Sequence, residues 1–261
     1  MTRSVMKRYV ALGSSMAAGP GIRPRVPGSP RGAGRSQRNY PHLVADALGL
    51  DLVDVTYSGA TTAHVLSEPQ RGTPPQIQAL DGTESLVTVT IGGNDAGYVP
   101  MLYAAGLPRW MMSIPLLGKR LRDLRDPAAR YLALAEAGSA LMDVGREIRT
   151  RAPQATVLFV DYLTLLPATG AAPPLHDADV ALGRHIATTL EQLTADAAAA
   201  TGCGLVRAAQ ASREHHAWSR QPWTTLPARF VVPVPGRPAP LHPNVDGMRA
   251  VADLVVARVT E

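Results

Sequence analysis

The chain of 261 residues has a single cysteine, few lysines and no long hydrophobic run. Cys203 cannot form an intramolecular disulfide, and no second cysteine can join it as a zinc ligand. Proline, arginine or aspartate interrupts every apolar run before it reaches the roughly 18 residues that a membrane-spanning helix needs. These absences predict a fold without disulfides, without a structural zinc and without an integral membrane segment.

The basic residues are almost all arginine, since only Lys7 and Lys119 among 26 are lysine. A formal net charge of +5 raises nucleic acid as a partner. The arginine excess together with abundant alanine is typical of genomic codon bias instead, and we expect no nucleic-acid partner. One local excess remains at residues 23–38, which contain five arginines and no acid. This stretch is either a solvated loop or a loop that contacts an anion at the mouth of a site.

Short β-rich runs alternate with helical patterns, which indicates an α/β protein with a parallel sheet. Strands are predicted near residues 7–13, 51–57, 85–91, 155–161 and 203–208, and helices near 40–49, 127–150, 178–200 and 244–259. No internal repeat or second domain is evident, so we expect one domain over residues 1–261.

Residues 98–125 fit this alternation poorly because they are apolar, rich in methionine and without a clean period. One interpretation is a lid-like insertion in which Trp110, Met111 and Met112 form the wall of an acyl pocket. The other interpretation is a pair of helices that covers the sheet.

Candidate functional residues follow the predicted strands, at the sheet edge where ligands bind in open parallel sheets. The motifs are Gly13-Ser14-Ser15, Ser58-Gly59-Ala60, Gly92-Gly93-Asn94-Asp95 and, before the last helix, Leu241-His242-Pro243. Acyl transfer needs a nucleophile, a base that takes its proton and donors to the developing oxyanion. A serine, a histidine, and a glycine with an asparagine supply these three roles.

In this order Ser15, Gly59, Asn94 and His242 resemble the four blocks of the SGNH, or GDSL, hydrolase family, and the first two segments are most similar to actinobacterial lipases and esterases. The resemblance implies a flavodoxin-like three-layer α/β/α fold, here with a five-stranded parallel sheet. It implies a serine esterase that hydrolyses short- to medium-chain carboxylic esters through an acyl-enzyme, without a cofactor.

The resemblance also implies the roles of the residues. Ser15 is the nucleophile, and His242 is the general base and then the general acid. The N–H groups of Ser15 and Gly59 and the side-chain amide of Asn94 form the oxyanion hole. The substrate is then a small-molecule or lipid ester.

Two departures from the family pattern bear on the mechanism. Ser14 replaces the aspartate of the first block, which leaves two adjacent serines, and we choose Ser15 because it directly precedes the helix start. Ala239 stands where many relatives have a third catalytic carboxylate. We therefore predict that the backbone carbonyl of Ala239 orients His242, with Asp246 as the alternative partner.

A third departure bears on localisation, because Tyr57 stands where secreted relatives often have cysteine. No separate apolar segment with a cleavage site precedes the first strand. We expect a cytoplasmic protein, with secretion as the alternative.

The remaining histidines have no spacing typical of metal ligands, so we expect no metal site, although His215 and His216 could line the cleft. The sequence does not separate a lipase from an acetyl-ester deacetylase or a phospholipid acyl hydrolase, and it leaves the oligomeric state open. The alternative function is a catalytically idle carbohydrate- or lipid-binding module on the same fold.

Overall fold

A computed structural model describes residues 7–227 and 237–261. Five strands form one sheet in the order β2-β1-β3-β4-β5, and every neighbouring pair is parallel. The strands are β1 (Arg8–Gly13), β2 (Asp51–Asp54), β3 (Glu84–Thr90), β4 (Thr156–Val160) and β5 (Gly204–Val206). The predicted five-stranded parallel sheet is confirmed.

Within the described ranges, the α-helices are α1 (Ser15–Ala18), α2 (Tyr40–Leu48), α3 (Thr62–Leu66), α4 (Tyr98–Gly106), α5 (Leu117–Leu124), α6 (Pro127–Arg151), α7 (Asp177–Ala200), α8 (Ala208–Ala211) and α9 (Val245–Thr260). None of these helices is both long and apolar enough to cross a bilayer. The four helices α2, α6, α7 and α9 are found where the periodicity predicts them.

The helices lie in two layers because both faces of the sheet are apolar. Successive residues of β1 point to opposite faces of the sheet. Val10 and Leu12 belong to the core on the face covered by α3, α4, α6 and α7. Tyr9 and Ala11 belong to the core on the face covered by α2 and α9. This arrangement is the three-layer α/β/α fold that the family resemblance implies. The extent of the domain over residues 1–261 stays a prediction.

Residues 98–125 form α4, a short 3-10 segment (Arg109–Ser113) and α5. On α4, Met101 and Leu102 are fully buried in the main core. The later part packs in a separate small cluster with the far side of α4. The segment therefore covers the sheet through α4, as the helix-pair interpretation expects, and adds a second small layer outside it.

Candidate active site

Ser15 is the first residue of α1 and is separated from the end of β1 by Ser14 alone, at the carboxyl edge of the sheet. The turn that presents it depends on Gly13, whose φ is +139° and whose position leaves no room for a side chain, since a Cβ there would lie 2.5 Å from the carbonyl oxygen of Thr90. The side-chain amide of Gln76 accepts from the N–H of Gly13 at 2.7 Å and donates to its carbonyl at 3.0 Å. These contacts hold the Ser15 backbone in one place.

His242 lies against Ser15 although 227 residues separate them, with Nε2 2.7 Å from the serine Oγ. Its Nδ1 lies 2.7 Å from the carbonyl oxygen of Pro240. Because a carbonyl can only accept, Nδ1 carries the ring proton and Nε2 presents a lone pair to the Ser15 hydroxyl. The hydroxyl proton of Ser15 thus has an acceptor within hydrogen-bond distance.

The acceptor for the His242 ring is the carbonyl of Pro240, so the prediction of Ala239 is wrong by one residue. The Ala239 carbonyl accepts instead from the hydroxyl of Thr225 at 2.6 Å. An aspartate at position 239 would contact the ring with its side-chain carboxylate. The backbone carbonyl of residue 239 lies in a different place, so the carbonyl of Pro240 contacts the ring instead. The chain turns at Leu241, which has a φ of +58°, between Pro240 and the ring that its carbonyl contacts.

Within residues 7–227 and 237–261, no carboxylate contacts the His242 ring. Asp246 is an exposed residue in the first turn of α9 and pairs with Arg249 at 3.4 Å. Asp95 accepts from the N–H and the hydroxyl of Thr62, at 3.0 and 2.6 Å. Loss of water around the ring lowers the pKa of His242 from its usual value of 6.5, and the Pro240 carbonyl opposes this effect in part.

Three predicted oxyanion donors lie around the same opening as Ser15. Gly59 has a φ of +79°, in the left-handed region, and its N–H and that of Ser15 form no hydrogen bond with the described part of the chain. The side-chain amide of Asn94 donates to the carbonyl of Ala60 at 2.8 Å, which leaves its second N–H for a ligand. The same bond joins the two loops that carry Gly59 and Asn94.

Ser14 faces away from the opening and is almost fully buried, at 1% exposed. Its Oγ lies 3.3 Å from the hydroxyl of Tyr162, and that hydroxyl accepts from the N–H of Gly93 at 2.9 Å. Tyr162 thus links the serine turn to the loop that carries Asn94. Sequence reasoning missed Tyr162, because nothing in the residues after β4 indicates which side chain reaches this turn.

A cavity of about 390 Å³ opens over the Ser15 hydroxyl. It is lined by Ser15, Pro20, Ser58, Gly59, Asn94, Val99, Pro100, Tyr103, Ala239, Pro240 and His242. The serine, the histidine and the donors therefore share one cavity, whose apolar wall is supplied by α4.

The predicted pocket residues Trp110, Met111 and Met112 are not part of this lining. The Trp110 side chain is 67% exposed, Met111 is buried in the small cluster outside α4, and Met112 packs against that cluster. The apolar lining comes instead from Val99, Pro100 and Tyr103 of α4, and Trp110, Met111 and Met112 lie outside this helix.

His215 and His216 do not line the cavity either. The ring of His215 stacks on Trp223 with centroids 4.0 Å apart, and His216 accepts from the backbone N–H of Trp218 at 3.2 Å. Both histidines therefore have packing contacts. Among the described residues, no group of three or more His, Cys, Asp or Glu side chains is placed to hold a metal ion.

Comparison with known proteins matches residues 11–250 to the GDSL-like lipase/acylhydrolase family. Lipase 2 of Streptomyces coelicolor is 33% identical over 253 residues, covering 94% of this chain and 83% of that protein. The extracellular lipase of Streptomyces rimosus has a similar structure, with a TM-score of 0.73, 25% identity and coverage of 98% and 100% of the two chains. Phospholipase A1 from Streptomyces albidoflavus shares the fold, with a TM-score of 0.74 at 24% identity and the same coverage.

The family match identifies a hydrolase, and its fold is a three-layer α/β/α sandwich with a serine–histidine pair at the carboxyl edge of the sheet. The chain belongs to the GDSL-like lipase/acylhydrolase family and is a carboxylic ester hydrolase. The expectation of a cytoplasmic protein finds no support among these relatives, of which one is an extracellular lipase.

Proposed function

We propose that the chain hydrolyses short- to medium-chain carboxylic esters through an acyl-enzyme formed on Ser15. In the first half-reaction, Nε2 of His242 takes the hydroxyl proton as Oγ bonds to the acyl carbon, and the carbonyl oxygen becomes an oxyanion. The ester C–O bond then breaks, and the alcohol leaves with the proton from His242. The N–H groups of Ser15 and Gly59 and the amide of Asn94 donate to the oxyanion.

In the second half-reaction, His242 takes a proton from water as the water oxygen bonds to the acyl carbon. The same donors stabilise the second oxyanion. Collapse returns the proton to the Ser15 oxygen and releases the carboxylic acid. The Pro240 carbonyl keeps the ring in one tautomer and orientation through both halves.

The observation that carries this proposal is the 2.7 Å contact between Ser15 Oγ and His242 Nε2 inside a cavity that also holds Gly59 and Asn94. A nucleophile within hydrogen-bond reach of a base, which is itself oriented by a third group, is the arrangement that acyl transfer requires.

The acyl chain is proposed to lie along α4, against Val99, Pro100 and Tyr103. These side chains offer an apolar wall without a charge, which suits a hydrocarbon chain rather than a polar acyl group. The names of the Streptomyces lipases and phospholipase A1 support lipid esters as the substrate class.

A series of p-nitrophenyl esters, from acetate through butyrate and octanoate to palmitate, tests both parts of the proposal. We expect a burst of p-nitrophenol equal to the enzyme concentration and a maximum of kcat/KM at butyrate or octanoate. The mass of the quenched protein should increase by one acyl group, and the modified peptide should contain Ser15. Binding of esters without turnover would favour the idle binding module.

A further inference from the structure

Large apolar side chains are exposed in the segment between α4 and α5. Trp110 is 67% exposed, Ile114 36% and Leu116 81%. Single exposed apolar residues are common on protein surfaces, but three within seven residues form a patch of the kind that marks a binding surface. We call Trp110, Ile114, Leu116, Lys119 and Arg120 the tip surface.

The charged residues of this segment between Asp95 and Asp123 are all basic. Lys119 and Arg120 are exposed on α5, and no acidic residue occurs between Asp95 and Asp123. The opposite side of α5 is apolar, with Leu121 buried in the cluster outside α4. The polar side of α5 is mainly basic, with Asp123 as its one acid, and an exposed tryptophan precedes the helix. This composition is typical of segments that bind anionic lipid interfaces.

The tip surface is joined to the catalytic cavity through α4. Met111 and Leu121 form a cluster with Ala104 and Leu107 of the α4 region, and Tyr103 packs against this cluster. Tyr103 also lines the cavity above Ser15. The small cluster and α4 therefore connect the tip surface to the proposed acyl wall.

We propose that the tip surface binds a lipid bilayer that contains anionic headgroups, with Trp110, Ile114 and Leu116 inserted among the acyl chains and Lys119 and Arg120 at the phosphates. A second copy of the chain fits this surface less well, because a symmetric contact would bring Lys119 and Arg120 toward their own copies. The use of this binding for catalysis rests on the proposed function, but the binding itself does not.

The test is sedimentation with vesicles, using the full chain with Ser15→Ala so that no lipid is hydrolysed. We expect binding to vesicles of phosphatidylcholine mixed with phosphatidylglycerol, weaker binding to phosphatidylcholine alone, and a loss of binding at high salt. Trp110→Ser with Leu116→Ser should weaken binding at least roughly tenfold through lost apolar burial. Lys119→Glu with Arg120→Glu should weaken it by at least roughly tenfold through lost charge.

The matched control is Arg249→Glu with Arg258→Glu on α9, which packs on the other face of the sheet and changes the net charge by the same amount. This variant should bind the mixed vesicles about as well as the parent. If the control variant lost as much vesicle binding as the Lys119→Glu, Arg120→Glu variant, net charge alone would explain the loss, and the proposed binding by the tip surface would be wrong. Unchanged binding in either tip variant would overturn it as well, and so would a concentration-dependent dimer that Leu116→Ser abolishes.

Activity separates this proposal from the proposed function. In the chain with Ser15 intact, both tip variants should hydrolyse the water-soluble p-nitrophenyl acetate at the parent rate. Loss of vesicle binding with that rate retained supports the tip surface, whereas a parent chain that binds vesicles but forms no acyl-enzyme overturns the proposed function alone.

Discussion

His242 and Pro240 form a hydrogen bond of 2.7 Å in which the ring donates from Nδ1 to a main-chain carbonyl. Serine hydrolases with a triad place a carboxylate at this point, where it orients the base and stabilises the imidazolium. A carbonyl supplies the orientation but carries no charge. The proposed mechanism therefore works with a dyad of Ser15 and His242.

The first prediction concerns the two carboxylates that could complete a triad. Asp246→Asn and Asp95→Asn should each leave kcat within about tenfold of the parent, whereas disabling the aspartate of a serine-protease triad lowers kcat by about 10⁴. Asp246 pairs with Arg249 on the surface, and Asp95 binds Thr62. Steady-state kinetics on a soluble ester, with circular dichroism as the check on folding, measures this. A fall of three powers of ten in either folded variant would contradict the dyad.

The second prediction is the pH dependence of kcat/KM. Desolvation lowers the pKa of His242 from 6.5, and the base acts only in its neutral form. Activity should therefore rise with pH along a limb whose midpoint lies below 6.5, and it should be level above it. A midpoint above this value, in a pH series at constant ionic strength, would indicate a charged partner that raises the pKa of the ring.

The third prediction concerns Asn94, whose amide is held by the Ala60 carbonyl at 2.8 Å. Removal of one oxyanion donor typically lowers kcat by about 10²–10³, because the bond is strongest in the transition state. Asn94→Ala should show this fall in kcat with a small change in KM. A raised KM with a normal kcat would place Asn94 in substrate binding only.

The fourth prediction concerns the wall of the proposed acyl pocket. Tyr103 lines the cavity, whereas Trp110 is exposed outside α4. Tyr103→Ala should shift the preferred acyl length toward longer p-nitrophenyl esters, since a buried methylene is worth about 0.8 kcal/mol. Trp110→Ala is the control and should keep the chain-length preference of the parent on soluble esters. A shift in the control alone would place the acyl wall at residues 110–112.

The strands and long helices could be predicted because their signal is local. Buried parallel strands appear as short apolar runs, and Pro41 and Pro127 occupy the first turns of α2 and α6, where proline is favoured. The shortest helices, such as α1 with four residues, are too short to show a period. Ser15 could be placed at the sheet edge because it follows β1, whereas its pairing with His242 was implied by the family resemblance.

The contacts of the site with the rest of the fold could not be predicted in this way. Tyr162 reaches Ser14 across 148 positions of sequence, and only the packing of the strands brings the two together. Pro240 instead of Ala239 accepts from His242 because the turn at Leu241 decides which carbonyl faces the ring. Apolar composition also could not tell Trp110 from Tyr103, since it does not show which side of α4 a residue contacts.

Labelling with a fluorophosphonate, followed by peptide mass spectrometry, tests directly whether Ser15 is the nucleophile. Ser15 lies 2.7 Å from the base, whereas Ser14 is buried against Tyr162. We predict one adduct per chain on Ser15, retained in Ser14→Ala and absent in both Ser15→Ala and His242→Ala. An adduct on Ser14, or a Ser15→Ala variant that is still labelled and still hydrolyses esters, would contradict the account.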